Sequence, residues 1–346
     1  MRKLFLMAAV FGAGVFAYNC GGGSGSAGSG TVALYVTDSP LEDAGKVEVA
    51  IKEIRMEHKG SGTTCTVFAP DTPYTVDLTD IKNTLELLDL TSCPEGPYNR
   101  LVVVLDKDVN VLYNDELKTC TLVDYDPDRD GQDKPIKPNR TQCDDNECFV
   151  YVTGAVNVLA NQTNDVALDF ELKDSEINID NSGNCTVAFK VSPLHAEGMK
   201  DKEQEVKGFV SALDTDTNTF NLTTKVGTVF TVSYTDDSNN YDDVLSLAQS
   251  YNLKTEVECE HLDLENATCT AQGIEVKVKG IAVSVDDSNK TLILDIDGNR
   301  DTTDDQIQVS GGKWEGNIQE GSYVEVEIIG YDGTYYLAKE VEEEKS

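Results

Sequence analysis

From Val32 onward, apolar residues recur at every second position, in short runs that end in Gly, Pro, Asp or Asn. A period of two places alternate side chains on opposite faces of a strand, and almost no stretch of this chain sustains the 3.6-residue period of a helix. Val32, Leu34 and Val36 alternate with Ala33, Tyr35 and Thr37 before the turn Asp38-Ser39-Pro40. Val47, Val49 and Ile51 do the same, and the phase then slips before Ile54 and Met56, as a β-bulge requires. Further strands are expected at Thr64 to Phe68, Tyr74 to Leu78, Arg100 to Leu105, Phe149 to Val158, Val166 to Leu172 and Cys185 to Val191, with a turn or two of helix around Leu85 to Leu88. Residues 31–199 therefore read as a β-sandwich in an all-β chain.

A second all-β region repeats itself. Val206 to Leu222 aligns with Val278 to Leu294 at an offset of 72, Gly208 over Gly280 and Asp214 over Asp286. The later halves align at 67, with Val257 over Val324, Ala271 over Ala338 and Ile274 over Val341. Two copies of one unit, 206–276 and 277–343, are more economical than one large domain. Each reads as three strands, a connection and two strands. In the first copy the connection, Tyr241 to Gln249, has acids in its first turn and apolar residues spaced for a short helix. A helix between the third and fourth of five strands is the order of an OB-type barrel, so each copy is expected to be a small OB-like barrel. In the second copy Gly312 to Ile318, with the only Trp (Trp314), is expected to cap the barrel instead.

The N-terminus carries an address. Arg2 and Lys3 precede an apolar run from Leu4 to Ala17, long enough for a signal-peptide core and short for a membrane span. Residues 1–19 are read as that signal, and residues 20–30, Cys20 followed by a Gly/Ser run, as a flexible tether. The arrangement resembles a bacterial lipoprotein, in which the cysteine after the signal becomes lipidated; Ala17, Tyr18 and Asn19 depart from the usual Leu, small residue, Gly or Ala. The cysteine count points the same way: nine leave one over when the rest pair, and Cys20 is the one isolated in a tether. The expected location is the bacterial cell envelope, on the periplasmic face or cell surface, with the membrane as partner through the lipid.

Two further resemblances rest on strand patterns. Val32 to Pro40 (VALYVTDSP), Val47 to Ile54 (VEVAIKEI), the Pro94 to Tyr98 turn into LVVVLD, Val166 to Lys173 (VALDFELK) and the later FKVSPL resemble a lipoprotein domain family known as domain of unknown function 4382. That family implies a fold and supplies no activity. The V-x-G start of each repeat and Gly321 to Val326 (G-x-x-V-x-V) resemble domain of unknown function 5666, short β repeats of exported proteins.

Composition excludes one class of function. With 28 Lys plus Arg against 62 Asp plus Glu, the net charge is −34, and nothing here could replace the counterions around a nucleic acid. Among so many acids one order stands out: Asp126, Asp128 and Asp130 alternate ahead of Gly131, with Asp133 following, a D-x-D-x-D-G spacing that converges hard oxygens on Ca²⁺. Position twelve is Lys137 instead of a bidentate Glu, so a full EF-hand is excluded. Asp295 to Asp301 is a poorer metal loop. His58, His195 and His261 lie in no metal or triad frame, and no phosphate-binding glycine motif occurs, so the chain is not read as an enzyme. A structural or ligand-binding role is expected, the ligand being carbohydrate or protein; Trp314, Tyr331, Tyr335 and Tyr336 offer one aromatic surface for sugars. A carbohydrate-active hydrolase is the catalytic alternative, to be recognised by a buried carboxyl pair in one cleft.

The eight remaining cysteines fit disulfides in an oxidising compartment. Cys259 and Cys269 fall over Val326 and Tyr336 at the offset of 67, positions expected to face each other across a hairpin, so they are expected to bond. Six cysteines then pair within the sandwich, Cys65 with Cys93 and Cys143 with Cys148 being favoured among 15 connectivities.

Two outcomes follow from the sequence alone. Metabolic labelling is expected to place a fatty acid on Cys20, and Cys20→Ser to release a folded protein from the membrane. The melting temperature is expected to rise with free calcium, because a ligand held only by the folded state stabilises it, and Asp128→Ala to remove that rise.

Overall fold

A computed structural model describes residues 28–38, 46–58, 60–81, 84–113, 116–124, 140–180, 184–194, 199, 202–236, 239–296 and 305–344. Cys20, the Asp126 to Asp133 loop, His195 and positions 297–301 of the second acidic loop lie outside the described residues.

The chain is all-β, with a single α-helix of more than one turn among the described residues. Its first half is a sandwich. One sheet has the strands Ser192–Leu194, Thr163–Asp169, Ser29–Thr37 and Thr84–Pro94 side by side. The facing sheet has ten strands, centred on Lys46–His58 and Gly96–Asp106. Val32, Leu34, Val36, Leu88 and Leu168 from the first meet Val49, Ile54, Val103 and Val150 from the second in one core. The bulge in the second strand falls between Ile51 and Glu53. The first strand begins at Ser29, inside the stretch read as tether, and Gly30 passes so close to the Leu159 carbonyl that a Cβ would sit 2.1 Å from it. Tyr98 is buried and donates its hydroxyl to the Pro94 carbonyl at 3.0 Å, which fixes the turn at Gly96.

The segment around Leu85 to Leu88 is not helical. Thr84–Pro94 is a strand, buried on both faces, with Leu88 in the sandwich core and Leu85 and Leu87 in the core of the second half. Two-sided burial removes the polar alternation that marks a strand. Glu203 to Val206 pair parallel with Thr84 to Leu87, so the first strand of the second half lies in a sheet that joins the two halves.

In the second half the pairings close on themselves twice. Glu203–Asp214 pairs with Thr219–Thr223, that with Val229–Ser233, that in parallel with the start of Thr268–Asp286, that with Lys254–Asp263, and that with Glu203–Asp214 again. The end of Thr268–Asp286 opens a second ring through Thr291–Asp295, Gln306–Ser310, Tyr336–Glu343 and Tyr323–Tyr331. One 19-residue strand thus serves both rings. The helix Tyr241–Tyr251 joins the third and fourth strands of the first ring and buries Val244, Leu245 and Ala248 in its core. Its counterpart in the second ring is a strand, Lys313–Glu315, laid parallel to Tyr336–Glu343; Trp314 is half-buried there, and Ile318 is the residue that enters the core.

The repeat holds at atomic detail in its first half. A Cβ on Gly208 would meet the Thr223 carbonyl oxygen at 2.4 Å, and one on Gly280 the Asp295 carbonyl oxygen at 2.2 Å, the same contact 72 residues on. Asp214 accepts the amides of Asp216 and Thr217, as Asp286 accepts those of Ser288 and Asn289. In the fourth strands the offset is 69 instead of 67: Gly208 pairs with Thr255, and Gly280 with Val324. The fifth strands keep 67, since Val257 pairs with Ile274 and Val326 with Val341. The two-residue difference lies in the closing hairpin: the first copy adds the pair Asp263 with Thr268 beyond Leu262 with Cys269, whereas the second ends at the equivalent pair Tyr331 with Tyr336, and both then turn through four residues.

That shift corrects the reasoning about Cys259 and Cys269. Val326 and Tyr336 do not face each other, and Cys259 lies opposite Ala271 while Cys269 lies opposite Leu262. The two cysteines bond diagonally across a bulged stretch, with Cα atoms 5.6 Å apart. Cys65–Cys93, Cys120–Cys185 and Cys143–Cys148 staple the sandwich. Replacing Cys259 and Cys269 together by Ala is expected to cost about 2–3 kcal/mol by loop entropy, read as a lower urea midpoint.

Candidate functional site at the cleft between sandwich and rings

Strand alternation decides which side chains reach the junction. On Thr268–Asp286, Val276 and Val278 point into the rings, so Lys277 and Lys279 point out; on Tyr323–Tyr331, Val324 and Val326 point in, so Tyr323, Glu325 and Glu327 point out. Glu205 and Lys207 on Glu203–Asp214, and Lys254 and Glu256 on Lys254–Asp263, share that outer side. Register then sets opposite charges across from each other: Lys207 with Glu256, Lys277 with Glu327 and Lys279 with Glu325.

The sandwich meets this charged face with Asp77, Asp80, Glu86 and Lys46. Asp77 ends the strand Tyr74–Asp77 and accepts the Val47 amide at 3.2 Å and the Thr79 amide at 3.0 Å. The turn so fixed presents Asp80 to the Lys277 ammonium at 2.6 Å. Glu86, on the two-sided strand, takes the Tyr74 hydroxyl and stands 3.2 Å from Lys207 Nζ. Lys46 reaches across to Glu342 at 3.7 Å and Glu344 at 3.9 Å.

Lys207 is the centre of the network. Its side chain is 5% exposed, and its ammonium lies 2.9 Å from Glu205, 3.2 Å from Glu256 and 3.2 Å from Glu86. One oxygen of each of these carboxylates has ion-pair contacts without the alignment of a hydrogen bond. Burial disfavours charge on Lys207, and the three carboxylates outweigh it, holding the ammonium firmly protonated. The carboxylates do not share that cation equally. Burial, with Glu256 and Glu86 beside it, pushes Glu205 up to about 8 against the pull of Lys207. Glu256 is also buried, but Lys207, Lys254 and Lys277 together hold it well below the usual range. At the sandwich side, burial and the charge of Asp80 push Asp77 up to about 6, whereas Lys277 holds Asp80 low in spite of its burial.

Around this network the two halves leave a cleft of about 500 Å³, with adjoining cavities of about 340 and 230 Å³, all three touching Asp80. The largest is walled by Asp77, Lys207, Lys254, Lys277, Lys279 and Glu325, and Tyr251 and Tyr323 line it too. Both tyrosines are exposed, at 36% and 47%, and they are the exposed aromatic residues among the described ones.

The aromatic surface expected at the C-terminus is occupied otherwise. The rings of Tyr331 and Tyr336 lie against each other with centroids 4.8 Å apart and planes tilted by 39°, and Tyr331 is fastened to the first ring by its amide to the Asn239 carbonyl and by its carbonyl to Asn240 Nδ2. Trp314 lies under Lys290 and donates to the Gly311 carbonyl. Cys259 and Cys269 staple the hairpin of the first ring. His58 holds the Ser61 amide in an exposed turn. The cleft escaped sequence reasoning because its sandwich side and its ring side meet across 120 or more positions, as Glu86 and Lys207 do; the visible signal was the repeated Val-Lys-Gly at Val206 and Val278.

Residues 29–190 match the family model described as Domain of unknown function (DUF4382). This segment contains the sandwich apart from its edge strand Ser192–Leu194, and includes Asp77, Asp80 and Glu86, so the matched part supplies one wall of the cleft and the repeats supply the other. No curated protein and no solved structure matches the chain.

The carboxyl environments fix a pH dependence. A carboxyl whose folded pKa is raised stabilises the fold below its unfolded value, and that contribution is lost as pH rises through the folded value. Glu205, Asp77 and Glu342, the last raised to about 7 by burial and neighbouring Glu344 and Glu325 against Lys46, therefore favour mild acid; Glu256 has the opposite sign and loses its contribution as pH falls below its unfolded value. The melting temperature is expected to fall between about pH 6 and pH 8.5, and Glu205→Gln to flatten that limb. Unchanged melting across this range would contradict the arrangement.

Proposed function

We propose that this is an exported, lipid-anchored binding protein of the cell envelope, calcium-stabilised through the Asp126 to Asp133 loop, whose ligand occupies the cleft between the DUF4382 sandwich and two OB-type barrels. The signal-like N-terminus, Cys20 and the Gly/Ser run support the anchor. The single observation that supports binding over catalysis is that the cleft's charges are already spent on each other. Lys46, Lys207 and Lys277 each face three carboxylates, Lys279 faces two, and Lys254 faces one. Among the described lining residues no hydroxyl or thiol nucleophile stands beside a histidine base. Such a wall is a preorganised set of donors and acceptors.

A hydrolytic reading draws on one specific observation, the carboxyl pair Asp77 and Asp80, whose environments push their pKa values apart as an acid and its partner require. Against it, Asp77 Oδ1 already accepts the Val47 and Thr79 amides and the Thr79 hydroxyl, and Asp80 is committed to Lys277.

A thermal-shift screen of sugars, amino acids and short peptides on the full chain tests the proposal. At least one class is expected to raise the melting temperature without turnover, and Tyr323→Arg to abolish the rise. Stabilisation by no class would remove the binding reading, and product release lost in Asp77→Asn would replace it with the hydrolytic one.

A further inference from the structure

Resting on the reading of the cleft as a binding site, we infer that its ligand is a neutral oligosaccharide that stacks on Tyr251 and Tyr323 and takes its hydroxyl hydrogen bonds from the ion-paired wall. Three features of the cleft select this chemistry.

The first is charge compensation. The largest cavity is lined by five lysines and four carboxylates, and every one of those ammonium groups has at least one carboxylate within 4 Å. A phosphate, sulfate or uronate would have to displace a carboxylate from its ammonium and would enter a chain of charge −34. A cation would have to compete with the ammonium groups for the same oxygens. Neutral hydroxyls need no such exchange, because a hydroxyl both donates to a carboxylate and accepts from an ammonium.

The second is the placement of exposed rings. Large apolar side chains that remain exposed number five among the described residues, and the two aromatic ones line this one cleft. Tyr251 closes the helix of the first ring and Tyr323 opens the fourth strand of the second, so separate elements bring them to the same cavity. A ring beside a polar wall suits the apolar face of a pyranose, whose C–H groups lie on one side and hydroxyls around the edge.

The third is the lack of a long free strand edge for a peptide. The ring strands lining the cleft are paired on both sides: Thr268–Asp286 lies between Lys254–Asp263 and Tyr323–Tyr331, and Glu203–Asp214 between Lys254–Asp263 and the sandwich strand. The free edge at the cleft is that of the sandwich strand Tyr74–Asp77, paired with Lys46–His58 alone and only four residues long, too short a ladder to hold an extended peptide. Val76 is buried, leaving few apolar lining residues to receive side chains.

The test is a panel of neutral oligosaccharides from β-glucan, xylan, α-glucan and chitin, titrated calorimetrically into the full chain, with the matching uronates and a tyrosine-containing peptide as comparators. At least one neutral sugar is expected to bind, with Tyr251→Ala and Tyr323→Ala each weakening it about tenfold, the double variant below detection, and Tyr→Phe at both positions near the parent. The phenylalanine variants and melting curves separate lost stacking from lost fold. Binding of the peptide or a uronate alone overturns the neutral-sugar assignment and leaves the cleft a binding site. Binding of no probe, or sugar binding indifferent to both tyrosines, overturns it as well; sugar binding with release of reducing ends keeps the ligand class and removes the non-catalytic reading.

Discussion

The strand Thr84–Pro94 belongs to two cores at once, and the rest of the molecule is arranged around that fact. Leu88 and Cys93 fill the sandwich while Leu85 and Leu87 fill the first ring. Between them on the same strand, Glu86 is fully buried and faces Lys207. A carboxylate in that position must be compensated, because the cost of removing an isolated charge from water is several kcal/mol. The repeat region supplies the ammonium from the neighbouring strand, and the parallel pairing of Glu203 to Val206 with Thr84 to Leu87 fixes where that ammonium stands. Sheet register and buried charge therefore specify the same docking of the two halves.

The network as a whole explains how a chain so acidic keeps a polar junction closed. Lys207, Lys254 and Lys277 cannot neutralise Glu86, Glu205, Glu256, Asp80 and Glu327 one for one. The excess is resolved by unequal sharing: Glu256, touched by three ammonium groups, is held well below the usual carboxylate range, and Glu205, which competes with two other carboxylates for Lys207, is pushed above it. Ion pairs buried to this degree add little net stability, since an apolar replacement of equal shape avoids the desolvation cost, but removing one partner leaves the other charge uncompensated.

What was legible in the sequence is what local physics decides. Alternation marked the strands, the slipped phase marked the bulge near Ile51, and paired glycines at 208 and 280 marked a repeat whose reason is one backbone approach per unit. Leu85 to Leu88 was misread as helix because a strand buried on both faces loses its alternation, and the residues that make it a bridge lie more than 100 positions away. The offset of 67 failed in the fourth strands because Val257, Val324 and Val326 are all apolar and a slip of two leaves the face pattern unchanged. The cleft was invisible for a similar reason: its charges look like the solvated side of ordinary strands until the sandwich covers them.

Duplication supplies the last link between fold and cleft. Because one strand closes the first ring and opens the second, the outer faces of both units turn toward the sandwich. Lys207 and Lys279 are equivalent at the offset of 72, and Glu256 and Glu325 at 69, so the same lysine–glutamate pair is laid down twice along one wall. The copies differ one step along the strands, where Phe209 pairs with Lys254 and Ile281 with Tyr323. An ammonium in one unit thus becomes an exposed ring in the other, and the connection that ends in Tyr251 in the first unit is a short strand in the second. Two identical units would give a uniform charged wall; these two departures turn it into a charged wall with two exposed rings at the cleft.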